Sequence, residues 1–425
     1  SITIGGDLQQ PQIARENGFV TIAYKAPEKD SVILVGDKLG IILTDRARGL
    51  RTWWAGGGED RFPLVSNAYL LRNSKVSEDG GKTKITAEMS LNPGRAEFSL
   101  PAEGKKIKVL VDGKEISATP GTLAKFAIDT PQPDFPGLSQ KLTALKMMKD
   151  AFDPAAAKPI PALSPLDSLG HRKDGIYWYT TTIPKHSEPV KYNIKLYSGD
   201  GIHVFINNKI VMTKLEVHSG GYGHTLDIAP DAKDATLTIL YEAAGRRNGD
   251  APMWEPRGLA QIYRDTPDGG KEYLTGFKFT PSIAGVREKW FAPKFDDSAW
   301  QAAAPGDWKS ANPSLKDYDG FVWYRAEFSL PETPGWEIPL GLKMKANSYA
   351  LVYLNEKFIG RYWSIGPQEI FYLPKCWLKT GNKKEKNKVA IAVINDVGPG
   401  GLMSLEVMPY TDYIAKNAKV EITIE

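Results

Sequence analysis

Cysteine is almost absent from this chain, whose 425 residues hold only Cys376. No intrachain disulfide can form. A chain this long buries enough surface to fold without covalent staples, so the shortage says little about compartment. Histidine is nearly as scarce, with five in all. Two of them, His218 and His224, flank Ser219-Gly220-Gly221-Tyr222-Gly223. A metal centre needs a third ligand on a rigid frame, and a glycine-rich loop supplies neither, so no metal and no cofactor is expected. No apolar run reaches membrane-spanning length, and the opening residues lack a basic-then-apolar signal pattern. There is no Asn-x-Ser/Thr acceptor either, since proline rules out Asn312-Pro313-Ser314. Charge of one sign is not concentrated. The net +4 is spread along the chain, and the densest basic stretch, Lys379 to Lys388, is broken by Gly381, Asn382 and Glu385. That stretch reads as a solvated hairpin loop, and no nucleic-acid or membrane partner is expected. Helical periodicity is rare as well. Only Leu138 to Lys149 carries it, with Leu138, Leu142, Leu145 and Met148 on one side.

What the chain does have is aromatics, with 11 Trp, 18 Tyr and 15 Phe. Sugar-handling proteins use aromatic planes against the C–H face of a pyranose, and large β-sandwich cores use them too. The dominant pattern is short β-branched or aromatic runs ending at Gly, Pro, Asn or Asp. Ser31–Gly36, Ile107–Val111, Tyr192–Tyr197, Ile202–Ile206, Thr236–Tyr241, Ala350–Leu354 and Val389–Ile394 all read as strands. Asp112-Gly113, Asn207-Asn208 and Asn355-Glu356 read as tight hairpin turns. Thr130–Pro136 holds three prolines and Pro154–Pro165 four, which marks both as junctions, because proline lacks a ladder donor.

An internal repeat organises the second half. Asp174-Gly175-Ile176-Tyr177-Trp178-Tyr179 returns as Asp319-Gly320-Phe321-Val322-Trp323-Tyr324. The strand ending at Asn207 returns at Asn355, and Gly258-Leu259 returns as Gly401-Leu402. The three offsets agree to within a few residues, and each unit has the size of an eight-strand sandwich. The prediction is therefore all-β: an N-terminal β-sandwich over 1–135, a jelly roll over 136–275 and a second over 276–425.

Gly360-Arg361-Tyr362-Trp363-Ser364-Ile365-Gly366-Pro367-Gln368, followed by Phe371-Tyr372-Leu373-Pro374, resembles the C-terminal jelly roll of glycoside hydrolase family 35, the β-galactosidases. In that family a strand ending in Asn-Gly leads into a Gly-Arg/Lys-Tyr segment and a Gly-Pro-Gln turn. Here Glu356 stands where the family has glycine. Phe295-Asp296-Asp297-Ser298-Ala299-Trp300 resembles the motif that opens these jelly rolls. Glu255-Pro256-Arg257-Gly258-Leu259 resembles the one that closes the first in fungal-type enzymes. Leu43-Thr44-Asp45-Arg46, Trp53-Trp54 and Asn67-Ala68-Tyr69-Leu70 resemble the sandwich between barrel and jelly rolls. The resemblance implies two tandem galactose-binding-like jelly rolls behind a sandwich.

It also implies what to look for and not find. Family 35 enzymes carry their two catalytic Glu on an (α/β)8 barrel, which needs about 250 residues of alternating strands and helices. That alternation does not occur here, so no catalytic residue is carried over. Glu59, Asp60, Asp250 and Glu255 lie in loops, and no spacing rule makes any two of them an acid/base pair. The candidates for carbohydrate contact are Trp254, Arg361, Tyr362, Trp363 and Tyr324. Arginine bonds hydroxyl pairs and aromatics stack on the ring, although Arg361, Tyr362 and Trp363 also suit interdomain packing, which is the preferred reading. In the alternating strand around Trp323 and Tyr324, Trp323 is assigned to the core and Tyr324 to a sugar or neighbouring domain. By resemblance Trp254 offers itself to a leaving-group sugar, and a tucked-in hydrophobic anchor is the other reading.

The leading expectation is a non-catalytic, sugar-contacting portion or subunit of a β-galactosidase-like enzyme that acts on terminal β-galactosides or a related glycan. A separate (α/β)8-barrel chain would then be its partner. A free-standing carbohydrate-binding protein and a glycan-active enzyme with its own site are the alternatives. An extracellular or periplasmic location is favoured over a cytoplasmic one.

Overall fold

The computed structural model describes residues 2–6, 8, 11–25, 30–35, 39–57, 60–66, 68–173, 175–198, 200–214, 223–243, 255–347, 349–381, 385–395 and 400–425. Strands account for nearly every element, and among the described residues the α-helices are the single turns Arg46–Gly49 and Ala284–Arg287. The all-β expectation holds. Each of the seven runs read as strands from sequence falls on a strand over its described residues, apart from the terminal Tyr197, and the three hairpin turns form as expected. Asp112 and Gly113 sit at φ 49° and 80°, Asn207 and Asn208 at 49° and 64°, and Asn355 and Glu356 at 45° and 71°. Paired positive φ values match the right-handed twist of the strands they join.

The chain divides into two compact units. The first comprises Ser1–Pro136, Pro331–Pro339 and Pro409–Glu425. One of its sheets runs Ala118–Thr119, Leu123–Thr130, Gly94–Pro101, Asp60–Ser66, Thr52–Gly57, and the other Lys114–Ile116, Ile107–Val111, Ala415–Ile424, Lys82–Leu91, Leu70–Asp79. Their shared core includes Leu64, Ile85, Met89, Leu100, Val420 and Ile422, with Phe98 and Phe126 stacked at 4.7 Å. Sequence reading ran the last jelly roll to residue 425. The final strand, Ala415–Ile424, instead lies antiparallel between Lys82–Leu91 and Ile107–Val111.

The second unit, Gly137–Leu330 and Leu340–Met408, contains the repeat. Its two six-stranded sheets have matching orders. One runs Lys158–Pro159, Lys278–Pro281, Gly175–Ile183, Ala235–Ala243, Gly201–Ile206, Lys209–Lys214, and the other Gln301–Ala303, Leu145–Asp150, Phe321–Phe328, Asn387–Ile394, Tyr349–Leu354, Lys357–Trp363. Trp178 and Trp323 both lie on the third strand. Trp178 faces Leu240 across the ladder and Trp323 faces Ala392, each three residues past the partner of the residue before the Asn turn. The turns repeat too. Asn207 Oδ1 accepts from the Thr236 amide at 2.9 Å, and Asn355 Oδ1 from the Lys388 amide at 2.8 Å.

Alternation along each third strand separates two cores. Tyr177 and Tyr179 face inward with Tyr192, Ile194, Leu259 and Ile262 of the four-stranded sheet that completes the first sandwich. Ile176 and Trp178 share the opposite cluster with Phe321, Trp323, Tyr349 and Leu351. The two six-stranded sheets thus pack face to face through their tryptophans. Burying such rings is worth about 2–3 kcal/mol apiece.

The helix expected over Leu138–Lys149 is not there. Gln140–Lys141 and Leu145–Asp150 are strands. Leu138, Leu142 and Leu145 are buried as the helical spacing required, but an extended chain buries them, with Met147 inward and Lys146 outward. The strand Phe321–Phe328 offers a free edge here, and pairing with it satisfies backbone groups that an isolated helical turn would leave to water.

Candidate functional site

The segment that carries the family resemblance is the hairpin Tyr349–Leu354/Lys357–Trp363. Across it Ala350 pairs with Tyr362, Leu351 with Arg361 and Tyr349 with Trp363. Cross-strand partners share a face. Tyr349 and Leu351 belong to the cluster between the two six-stranded sheets, so Arg361 and Trp363 lie on that side. Tyr362 points the other way and is buried.

Arg361 meets a carboxylate of the first jelly roll. Its Nε donates to Glu242 Oε1 at 2.7 Å, and the Tyr349 hydroxyl donates to the same oxygen. Glu242 is buried. Burial pushes its carboxyl up, and the Tyr349 hydroxyl and the Arg361 charge pull it back. The guanidinium lies 5.5 Å from the centroid of Phe358, so one of its faces is already covered. Arg361 therefore ties the second of the two six-stranded sheets to the first.

The remaining candidates fall in different environments. Tyr324 is 1% exposed, and its hydroxyl accepts from Trp308 Nε1 at 2.6 Å. Burial pushes that phenol up to about 12. Neither Tyr324 nor Tyr362 has a ring face left for a sugar, which corrects their reading as contacts: the strands fill both sides of the sheet here, so the residue next to a core tryptophan faces a second core. Trp363 is 36% exposed. Trp254, His218, Glu59 and Asp250 lie outside the described residues. Glu255 is half-buried, and Arg257 beside it is buried, donating to the Arg172 carbonyl at 3.0 Å. That contact gives the Glu255–Leu259 motif a structural task. Trp323 sits in the core as assigned, its Nε1 donating to Asp150 Oδ2 at 2.8 Å while Asp150 also accepts from the Ala284 and Gly285 amides.

Sequence reading missed a cleft at the junction of the jelly rolls. Trp178, Phe205 and Phe152 form its apolar wall, and Asn208, Lys209 and Asp317 stand at its rim, around a volume of about 300 Å³. Lys209 Nζ donates to the Asp317 carbonyl at 2.5 Å and lies 3.9 Å from Asp319 Oδ2, while the Ile210 amide donates to that Asp319 oxygen at 3.1 Å. The signal was present in Asn207-Asn208 and Asp319-Gly320, both noted as landmarks of the repeat. Nothing local says that they meet.

The fold is that of an all-β chain of sandwiches, two of which repeat one strand order. Residues 321–383, which begin at Phe321–Phe328 and include the hairpin Tyr349–Leu354/Lys357–Trp363, match the family model described as the β-galactosidase galactose-binding domain. β-Galactosidase A of Aspergillus oryzae is 21% identical over 443 residues, covering 89% of this chain and 42% of the fungal protein. Human β-galactosidase-1-like protein 2 is 45% identical over 40 residues, 9% of this chain and 6% of that protein. Mouse β-galactosidase-1-like protein 3 is 27% identical over 180 residues, 42% of this chain and 24% of that one. An α-L-rhamnosidase structure from Streptomyces avermitilis covers 83% of this chain and 39% of its own at 15% identity, but its TM-score of 0.20 carries no argument. The chain is thus similar over most of its length to the β-rich C-terminal part of family 35 β-galactosidases, and it spans less than half the length of the fungal proteins it matches.

Proposed function

We propose that this chain is the supporting, sugar-contacting and non-catalytic portion of a β-galactosidase-type glycoside hydrolase, whose assembly cleaves terminal β-galactosides. The observation that carries the reading is the match of residues 321–383 to a galactose-binding domain, set in a chain whose described elements are almost all strands. Retaining hydrolysis needs two carboxylates held about 5–5.5 Å apart on a rigid frame. A buried glutamate whose Oε1 accepts from both Arg361 and Tyr349 reads as a clamp. On this reading a barrel comes from another chain or another segment, and the sandwich and two jelly rolls, divided near residues 135 and 275, brace it. Trp363 and Trp254 are the residues proposed to reach a sugar, with Arg361 as a positioning residue.

The test is turnover of 4-nitrophenyl β-D-galactoside by the purified chain. No nitrophenol above background is expected from the chain alone, and a barrel-bearing polypeptide should copurify with it from its source. Turnover that survives repurification and is lost in Glu255→Gln would overturn the non-catalytic reading.

A further inference from the structure

Beside the cleft at the jelly-roll junction lies a second one of about 460 Å³, lined by Thr180, Thr182, Thr236 and Lys278. The two share Phe152, Asn207 and Asn208. We propose that this double cleft binds a neutral oligosaccharide, one pyranose in each half, with the chain of the sugar crossing Phe152. The proposal rests on the carbohydrate-contacting reading above and gives it a location.

Size fits first. Both volumes lie in the lower part of the range for small-ligand sites, about 300–1,000 Å³. Phe152 is half-buried and forms part of both walls, so it presents apolar ring surface to either half. A pyranose covers such a surface with its C–H face. Trp178 and Phe205 close the floor of the first cleft, and both are buried there, which fixes the wall rigidly.

The rim selects the ligand's charge. Asp317 and Asn208 are exposed, and among the described residues their side chains make no hydrogen bond. A carboxylate accepts from two hydroxyls, and a carboxamide both donates and accepts, so the pair suits vicinal hydroxyl groups. Lys209 is already held by the Asp317 carbonyl and stands near Asp319. In the first half an anionic ligand would meet two carboxylates with the adjacent cation already occupied, whereas a neutral polyol meets acceptors and donors in turn. The second half adds Thr182 and Lys278, both exposed. Asn207 does not contribute its carbonyl, which holds the Thr236 amide and so fixes the turn that carries Asn208.

The experiment is calorimetric titration of the full 425-residue chain with lactose, β-1,4-galactotriose and galacturonic acid. Galactotriose should bind more tightly than lactose, and galacturonic acid should not bind. Asn208→Gly/Asp317→Ala, with glycine keeping the positive φ at 208, should weaken galactotriose by about tenfold or more with a nearly unchanged melting temperature, as expected for lost hydrogen bonds at an exposed rim. Phe152→Leu should weaken it similarly. Binding that survives both cleft variants, or that is lost only in Trp363→Ala, overturns the cleft and leaves the carbohydrate reading standing. Failure of the unaltered chain to bind either galactoside overturns both.

Discussion

Two single residues carry measurable strain or charge cost. Glu356 holds φ 71° in a turn where most relatives by resemblance have glycine, and Asn355 keeps it there by donating to the Trp377 carbonyl at 2.7 Å while accepting from the Lys388 amide. A left-handed non-glycine residue costs about 1–2 kcal/mol, and glycine gives part of that back as chain entropy. Glu356→Gly should therefore stabilise the second unit by about 0.5–1 kcal/mol, seen as a rise of about 1–4 °C in its melting temperature. An unchanged or lower value would mean the turn is not strained. His203 is the other case. Burial alone lowers its imidazole to about 3, with Nδ1 3.0 Å from the Thr213 hydroxyl. The unfolded chain takes up a proton near pH 6.5 that the folded chain refuses, so the stability this residue leaves intact above pH 6.5 drains as the pH falls. The loss is about 1.4 kcal/mol per unit, or about 2 kcal/mol by pH 5. His203→Gln should lose less stability than the parent between pH 7 and pH 5 in denaturant titrations. Equal losses would contradict a neutral buried imidazole.

At the scale of elements, hairpins were legible from sequence because their information is local. Asp112-Gly113 and Asn207-Asn208 specify positive φ where they stand, and the strands either side alternate. The strand Ala415–Ile424 was not among the runs read from sequence, and its partners were not legible either. Its alternation of Ala418, Val420, Ile422 and Ile424 would suit any half-buried sheet, and the long-range register with Thr83–Leu91 leaves no mark in either segment. The segment 138–149 failed for a related reason: of the four apolar residues at helical spacing, Leu138, Leu142 and Leu145 are buried equally well by an extended chain once a partner strand is waiting. The placement of the last strand makes a prediction of its own. Ile422→Ala empties a site in the core of the first unit at a cost of about 2–5 kcal/mol. Amide hydrogen exchange should quicken across Lys82–Leu91 and stay slow across Asn387–Ile394. Equal exchange in both strands would mean that Ala415–Ile424 does not belong to that sheet.

For the molecule as a whole, the repeat was the most informative thing in the sequence. It marked two like sandwiches, and their central tryptophans meet in one buried cluster between matching six-stranded sheets. The candidate site was less legible. Arg361 and Trp363 were picked out by resemblance, but the partner that decides what Arg361 does, Glu242, lies over a hundred residues away with no motif of its own. The cleft draws Phe152, Asn208 and Asp317 from three separate segments, none of them unusual alone. A chain built this way is expected to hold a galactoside and not to cut it. Titrating lactose into the purified chain in a calorimeter reads both properties at once. Saturable binding heat that returns to a flat baseline is the expected result. A steady heat of hydrolysis after saturation, or no binding heat at all, would contradict it.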